Sequence, residues 1–198
     1  MIDLLLKLID RLIQLKQYKT QRLERVFRSI IEPTYKELAE IHRDYLQMFE
    51  ELGRQLPSPL EMNDEAGKRQ LLRTAEQLRQ RRILFEPVRE KVSALKRELF
   101  GTVANPRTLG FSAEIDDAVR AMLDYLPDGV PSDGEGSRAT ALYMAIRESA
   151  VAISLPQVNA HGATLPDVVA FTVNDCRQKW DVVCEKFVRL QVMVGTAA

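Results

Sequence analysis

The first hundred residues carry an apolar pattern with helical spacing and almost no helix-breaking residues. Apolar side chains recur every three or four residues, as they do along one face of an α-helix. In this half glycine occurs only at Gly53 and Gly67, whereas Leu, Glu, Gln, Lys and Arg, which all favour helices, dominate. The pattern therefore predicts long amphipathic helices and leaves little of this half for a β-sheet.

Two prolines interrupt this pattern in similar settings, Pro33 in SIIEPTYKEL and Pro87 in ILFEPVREKV, and each could break or kink a helix. Each lies 27 residues from residue 60, just after the Pro57-Ser58-Pro59 sequence. In an antiparallel hairpin, residues equidistant from the turn lie at one level, so the two bends would coincide. We therefore predict that residues 2–56 and 64–100 form an elongated bent hairpin. Four separate short helices, broken at the prolines, are the alternative.

The second half of the chain differs because it holds the other seven glycines, and loops separate three further helical stretches. Ser112 predicts the start of a helix that runs to Pro127. A second helix is expected from about Ser137 to Ile153, and the last begins near Pro166. No alternating run bracketed by turns predicts a strand.

The predicted fold class is therefore all-α. The long helical hairpin of residues 1–100, kinked at Pro33 and Pro87, is expected to pack with a C-terminal three-helix segment within residues 101–198. Together they would form a helical bundle.

Charge excludes some functional classes for the molecule as a whole. The 198 residues hold 28 Lys+Arg and 28 Asp+Glu, and this neutrality argues against attraction of the entire protein to nucleic acid or acidic lipid. The charges are unevenly placed, however. Residues 1–100 hold 20 cations and 16 acids, and residues 101–198 hold 8 and 12. A basic surface on the first half therefore stays open.

Compartment signals point to the cytoplasm. No run of 18 apolar residues predicts a transmembrane segment. The apolar N-terminus includes charged residues such as Asp3 and Lys7 and lacks a small-residue cleavage site, so a signal peptide is not expected. Cys176 and Cys184 lie eight residues apart on one predicted helix, about 12 Å at 1.5 Å per residue, too far for a disulfide. Both are expected to be reduced core thiols.

No catalytic constellation stands out. The best that can be assembled is Cys176 or Cys184 with His161 as base and Asn159 as orienting group, but both cysteines lie on an apolar stripe where thiols are normally inert. His42 lacks the Glu three residues earlier that a carboxylate metal site would use, since Ala39 occupies that place. We therefore predict a non-enzyme without catalytic residues, metal or cofactor. A helical enzyme with its site in loops around His161 and Asp133 is a minor alternative.

A basic run on the third predicted helix is the first candidate surface. Six cations fall within fifteen residues, with Glu76 as the one acid among them. The residues predicted to contact a charged partner are Arg69, Arg73, Arg79 and Arg82. An ordinary solvated helix face, an acidic protein partner and nucleic acid are the three interpretations.

The N-terminal helix is the second candidate surface, because its apolar residues cover more than one face. The residues predicted for hydrophobic contact are Leu4, Leu5, Leu8, Ile9 and Leu12. Burial against the C-terminal helices, a homotypic or heterotypic helix–helix interface, and a membrane surface are the alternatives. The mixed charges on its polar face disfavour the membrane.

These observations predict a helical interaction or scaffold subunit that acts within a larger protein assembly. Its partner would be another protein or a second copy of the chain, bound through the N-terminal helix. A complex encoded by a bacterial operon would suit such a subunit, although no residue identifies one. The alternative is a nucleic-acid-associated helical protein that uses the arginine face.

Overall fold

A computed structural model describes residues 2–14, 23–57, 61, 64–102, 105–106, 108–125, 138–151 and 164–196. These residues are almost entirely helical, which confirms the all-α prediction. The helices are α1 (Ile2–Gln14), α2 (Leu23–Val26), α3 (Glu32–Gln55), α4 (Glu65–Phe100), α5 (Ala113–Tyr125), α6 (Arg138–Val151) and α7 (Leu165–Thr196), with a π-helical turn at Phe27–Ile31.

Neither of the two prolines ends its helix. Pro33 lies at the start of α3, directly after the π-helical turn, in which the Glu32 N–H bonds to the Phe27 carbonyl. Proline lacks an N–H and its ring clashes with the carbonyl four residues earlier, so a wider turn just before Pro33 relieves both problems. Pro87 lies inside the 36-residue α4, which continues across it. The bent hairpin itself stays a prediction.

Helix ends follow the sequence signals closely. Asp64 precedes α4 and its carbonyl accepts the first helical hydrogen bond, from the Lys68 N–H at 2.9 Å. Gly101 ends α4 with a φ of 73°, a left-handed conformation that costs glycine little. The Ser112 hydroxyl accepts a bond from the Ile115 N–H at 3.4 Å, so the predicted cap of α5 is confirmed.

The expectation that no strand forms was wrong in one small place. After α4 the chain makes a two-residue antiparallel pair, β1 (Gly101–Thr102) with β2 (Asn105–Pro106). Each strand is too short to show an alternating pattern, so the sequence carries no signal for it.

The chain divides into two compact units, and each contains segments from both halves of the sequence. Unit 1 comprises residues 1–44, 87–127 and 178–198, and unit 2 comprises residues 45–86 and 128–177. The core of unit 2 is built from apolar residues of α3, α4, α6 and α7. Here Gly53 of α3 lies against α7, since a Cβ on it would meet Val169 Cγ1 at 3.1 Å. In the described part of the chain, no helix is long and apolar enough to cross a membrane.

Candidate functional site

The hydrophobic-contact residues predicted on α1 are largely used within the chain. Leu8, Ile9 and Leu12 are buried and Leu4 is half-buried, while the side chain of Leu5 lies outside the described residues. The helix contacts the π-helical turn. Among the three explanations for this apolar helix, such burial favours packing inside the same chain.

Arg11 and Glu37 join α1 to α3 through an ion pair of 3.0 Å. The second carboxylate oxygen of Glu37, Oε2, is buried, and no residue that the structure describes donates a hydrogen bond to it. Burial raises the pKa of Glu37, and the nearby charges of Arg11 and Lys7 oppose that rise. This pair therefore holds the polar side of α1 against α3 at an electrostatic cost.

The predicted arginine surface is exposed where the structure describes it. Arg69 and Arg73 lie one turn apart on α4 and both face solvent. Between them lies Leu72, which is 45% exposed and which the sequence analysis overlooked. The side chain of Arg82 lies outside the described residues. We call the surface formed by Arg69, Leu72, Arg73, Glu76 and Arg79 the α4 face.

Charge on the α4 face is partly neutralised at one end. Arg79 donates two hydrogen bonds to Glu76, at 2.9 and 3.0 Å, and this pairing raises the pKa of Arg79 and lowers that of Glu76. Arg69 donates to the Glu65 carbonyl at 3.0 Å. Arg73 forms no ion pair with any residue that the structure describes. The cationic end of the face is therefore centred on Arg73, next to Leu72.

An aromatic cluster in unit 1 joins α3, α5 and α7. Tyr35 stacks on Phe187 with ring centroids 3.8 Å apart and on Trp180 at 5.4 Å. Two turns further along α3, His42 stacks on Trp180. Its Nδ1 also bonds to the Tyr125 hydroxyl at 2.7 Å. His42 is half-buried.

The two cysteines differ in their surroundings. Cys176 is buried in the core of unit 2, and Cys184 is half-buried in unit 1; neither forms a disulfide. The sulfur of Cys184 lies 3.3 Å from the Tyr35 hydroxyl oxygen, within hydrogen-bonding distance. Burial and this thiol together raise the pKa of Tyr35 to about 12. The Cys184 thiol and the Tyr35 phenol therefore pack against stacked aromatic rings.

The loop residues of the suggested catalytic sites receive no structural description. His161, Asn159 and Asp133 all lie outside the described residues. Within the part of the chain that is described, no group of three or more His, Cys, Asp or Glu residues is placed to hold a metal ion.

The aromatic cluster was the main feature that sequence reasoning missed. Trp180, Cys184 and Phe187 were assigned to one stripe of the last helix, but the rings that meet them come from α3 and α5. Helical periodicity identifies which face of a helix is apolar, and it does not identify the partner of that face. The exposure of Leu72 is not predictable for a related reason, because helical spacing does not show which apolar residues the packed chain covers.

Comparison with known proteins adds no assignment to these surfaces. No protein-family model, curated protein sequence or solved structure shows significant similarity to this chain.

Proposed function

We propose that this chain is a non-enzymatic helical interaction subunit of a larger protein assembly, and that the α4 face binds an acidic, partly apolar segment of a partner protein. The observation that carries the proposal is the exposure of Leu72 beside Arg73. An apolar side chain flanked by cations suits a partner that offers an apolar residue among carboxylates. Two cysteines that form no disulfide fit a cytoplasmic location for the assembly.

The composition of the α4 face favours protein over nucleic acid. Glu76 places a carboxylate among the arginines, where it would repel a phosphate backbone. It also forms an ion pair with Arg79, which reduces the positive charge available to a phosphate. Nucleic-acid surfaces gain affinity from many cations that release counterions together. The α4 face offers few such cations and adds a leucine, so nucleic acid is the second candidate.

Self-association through α1 is less well supported than a partner site on the α4 face. Leu8, Ile9 and Leu12 are buried by the chain itself, so a partner could reach them only if α1 moved away. That opening would expose apolar surface at a cost of about 25 cal/mol per Å². A partner site on the exposed α4 face carries no such cost.

A photo-crosslinking residue in place of Leu72, introduced into the full chain in its native cell, tests the proposal. We expect it to capture one acidic protein that the same residue at Val188 of α7, which is also exposed, does not capture. The captured protein is then purified and titrated against the intact chain. Arg73→Gln should weaken binding about five- to tenfold, the size expected for a hydrogen-bonded charge contact, and Arg147→Gln on α6 should leave binding unchanged.

Two results would refute the proposal. One is the capture of the same proteins from position 72 and position 188. The other is an affinity that Arg73→Gln and Arg147→Gln change equally. Capture of RNA or DNA, with affinity that falls steeply as salt rises and a slope that Arg73→Gln reduces, would support the nucleic-acid alternative and reject the acidic partner.

A further inference from the structure

A cleft of about 290 Å³ lies between α5 and α7 in unit 1, and none of its lining residues belongs to the α4 face. One side is a stripe of α5 and the other is a stripe of α7; the lining residues are Asp117, Arg120, Ala121, Asp124, Tyr125, Lys179, Val182 and Lys186. Lys186 pairs with Asp117 at 3.2 Å, and Tyr125 meets Trp180 edge-on at 5.7 Å. The two helices therefore run antiparallel, with an ion pair at one end and an aromatic contact at the other.

The middle of the cleft is open because the residues there are small. In this antiparallel register Ala121 of α5 lies level with Val182 of α7, between the two end contacts. A methyl group and an isopropyl group leave part of the surface between the two helices uncovered. Val182 is left 48% exposed. The cleft therefore has an apolar floor, with the ring of Tyr125 at one end.

Charges surround this floor, and their arrangement favours an anion. Both carboxylates of the lining are already engaged by lysines, Asp117 by Lys186 and Asp124 by Lys96. Arg120 and Lys179 add positive charge to the rim. Asp116, buried one turn before Arg120, is the further acid in this neighbourhood, and its Oδ2 accepts a bond from the Leu109 N–H.

Arg120 is the lining residue best suited to a carboxylate. Its guanidinium lies over the ring of Phe100, 4.3 Å from the ring centroid. Arg120 forms no hydrogen bond or ion pair with any residue that the structure describes, so the N–H donors of its guanidinium are available. A carboxylate can accept two parallel hydrogen bonds from these donors.

We propose that this cleft binds a small aromatic carboxylate, with its ring on Ala121 and Val182 and its carboxylate on Arg120. The volume lies at the lower end of the range for small-molecule sites, which limits the ligand to one or two rings. A flat ring fits between two helices and would cover the exposed side chain of Val182, while the buried Tyr125 closes one end of the cleft.

Calorimetric titration of the full chain with 2-naphthoate and its neutral analogue 2-naphthamide tests this proposal. The fluorescence of Trp180 is a second readout, because it is the single tryptophan of the chain and contacts Tyr125. We expect naphthoate to bind more tightly than naphthamide. Arg120→Gln should weaken naphthoate binding about tenfold, as for loss of a charged hydrogen bond, without changing naphthamide binding.

Two further variants complete the test. Ala121→Leu fills the floor and should abolish binding of both compounds, while Arg147→Gln, on α6 in unit 2, should change neither. Circular dichroism shows whether Ala121→Leu still folds; if it does not, the comparison between Arg120→Gln and Arg147→Gln decides alone, since both side chains are exposed. Equal affinities for the two compounds, no naphthoate binding at millimolar concentration, or equal effects of Arg120→Gln and Arg147→Gln would each overturn the proposal.

Discussion

The imidazole ring of His42 lies flat against the indole ring of Trp180, with ring centroids 4.6 Å apart and ring planes 9° apart. His42 also bonds through Nδ1 to the Tyr125 hydroxyl at 2.7 Å. One side chain of α3 therefore connects α5 and α7, and both connections are partly shielded from water. Such stacked and hydrogen-bonded contacts contribute stability beyond the burial of their apolar area.

Replacement of His42 should separate these two contributions. His42→Ala removes the stack and leaves the Tyr125 hydroxyl without this partner, so we expect the free energy of unfolding to fall by about 2 kcal/mol. His42→Phe keeps a ring against Trp180 and should cost about half as much. Urea unfolding followed by Trp180 fluorescence measures both variants. Equal losses would show that the hydrogen bond, and not the stack, accounts for the whole effect.

Tyr35 should make the chain sensitive to alkali. Its pKa in the folded chain is about 12, against an ordinary value of 10, because burial and the Cys184 thiol disfavour the phenolate. As the pH rises above 10, the unfolded chain loses this proton first. The contribution of Tyr35 to stability is therefore complete below pH 10 and is lost as the pH rises towards 12.

The measurement is the urea midpoint of the intact chain and of Tyr35→Phe between pH 9 and 12. The difference between the two chains should narrow as the pH rises, since phenylalanine has no proton to lose. Tyr143→Phe, which removes a hydroxyl group in unit 2, is the matched control and should run parallel to the intact chain. A constant difference between the intact chain and Tyr35→Phe would contradict the raised pKa.

Helical elements were predictable because their signals are local. The cap at Ser112 depends on residues within one turn of the helix end, and it appears in the structure. Gly101 likewise follows the last residue of α4 with a positive φ. The last helix begins one residue before the expected Pro166, after a reciprocal cap in which the Thr164 N–H bonds to Asp167 at 2.8 Å. Errors at helix ends are therefore about one residue.

Contacts between distant parts of the chain were much less predictable. The sequence shows that α1 is apolar on several sides, but the burial of Leu8 and Leu12 depends on which helices lie next to it. The π-helical turn before Pro33 shows the same limit, since proline indicates a disturbed helix without specifying whether the helix stops, bends or widens. The candidate surfaces were hard to predict for the same reason, because the exposure of a side chain depends on how the whole chain packs.

Glu37 should lower stability as it ionises. Burial raises its pKa, so the folded chain favours the protonated form more than the unfolded chain does, despite the opposing charge of Arg11. Stability from this group is present below the ordinary pKa of a glutamate and is lost as the pH rises through the higher value of the folded state. The Glu37→Gln variant does not lose stability in this way, because glutamine does not ionise.

The free energy of unfolding of Glu37→Gln, relative to the intact chain, should therefore increase from pH 4 to pH 7. Urea unfolding at several pH values measures this difference. Asp44→Asn removes an exposed carboxylate from the same helix and provides the control, because Asp44 does not contribute to the raised pKa of Glu37; for this variant the change should be smaller. A relative stability of Glu37→Gln that falls over this range would mean that the Arg11 ion pair outweighs the cost of burying the carboxylate.

Leu8 and Ile13 separate a structural role of α1 from an interface role. Leu8 is fully buried, so Leu8→Ala should lower the free energy of unfolding by about 2–5 kcal/mol through lost burial and a cavity. Ile13 is 46% exposed, and Ile13→Ala should cost less than about 1 kcal/mol. If α1 serves packing alone, sedimentation across a concentration range should show the same mass for both variants and the intact chain. A mass that falls with Leu8→Ala while the fold persists would instead place Leu8 in contact with a second copy, and would require α1 to leave the position described here.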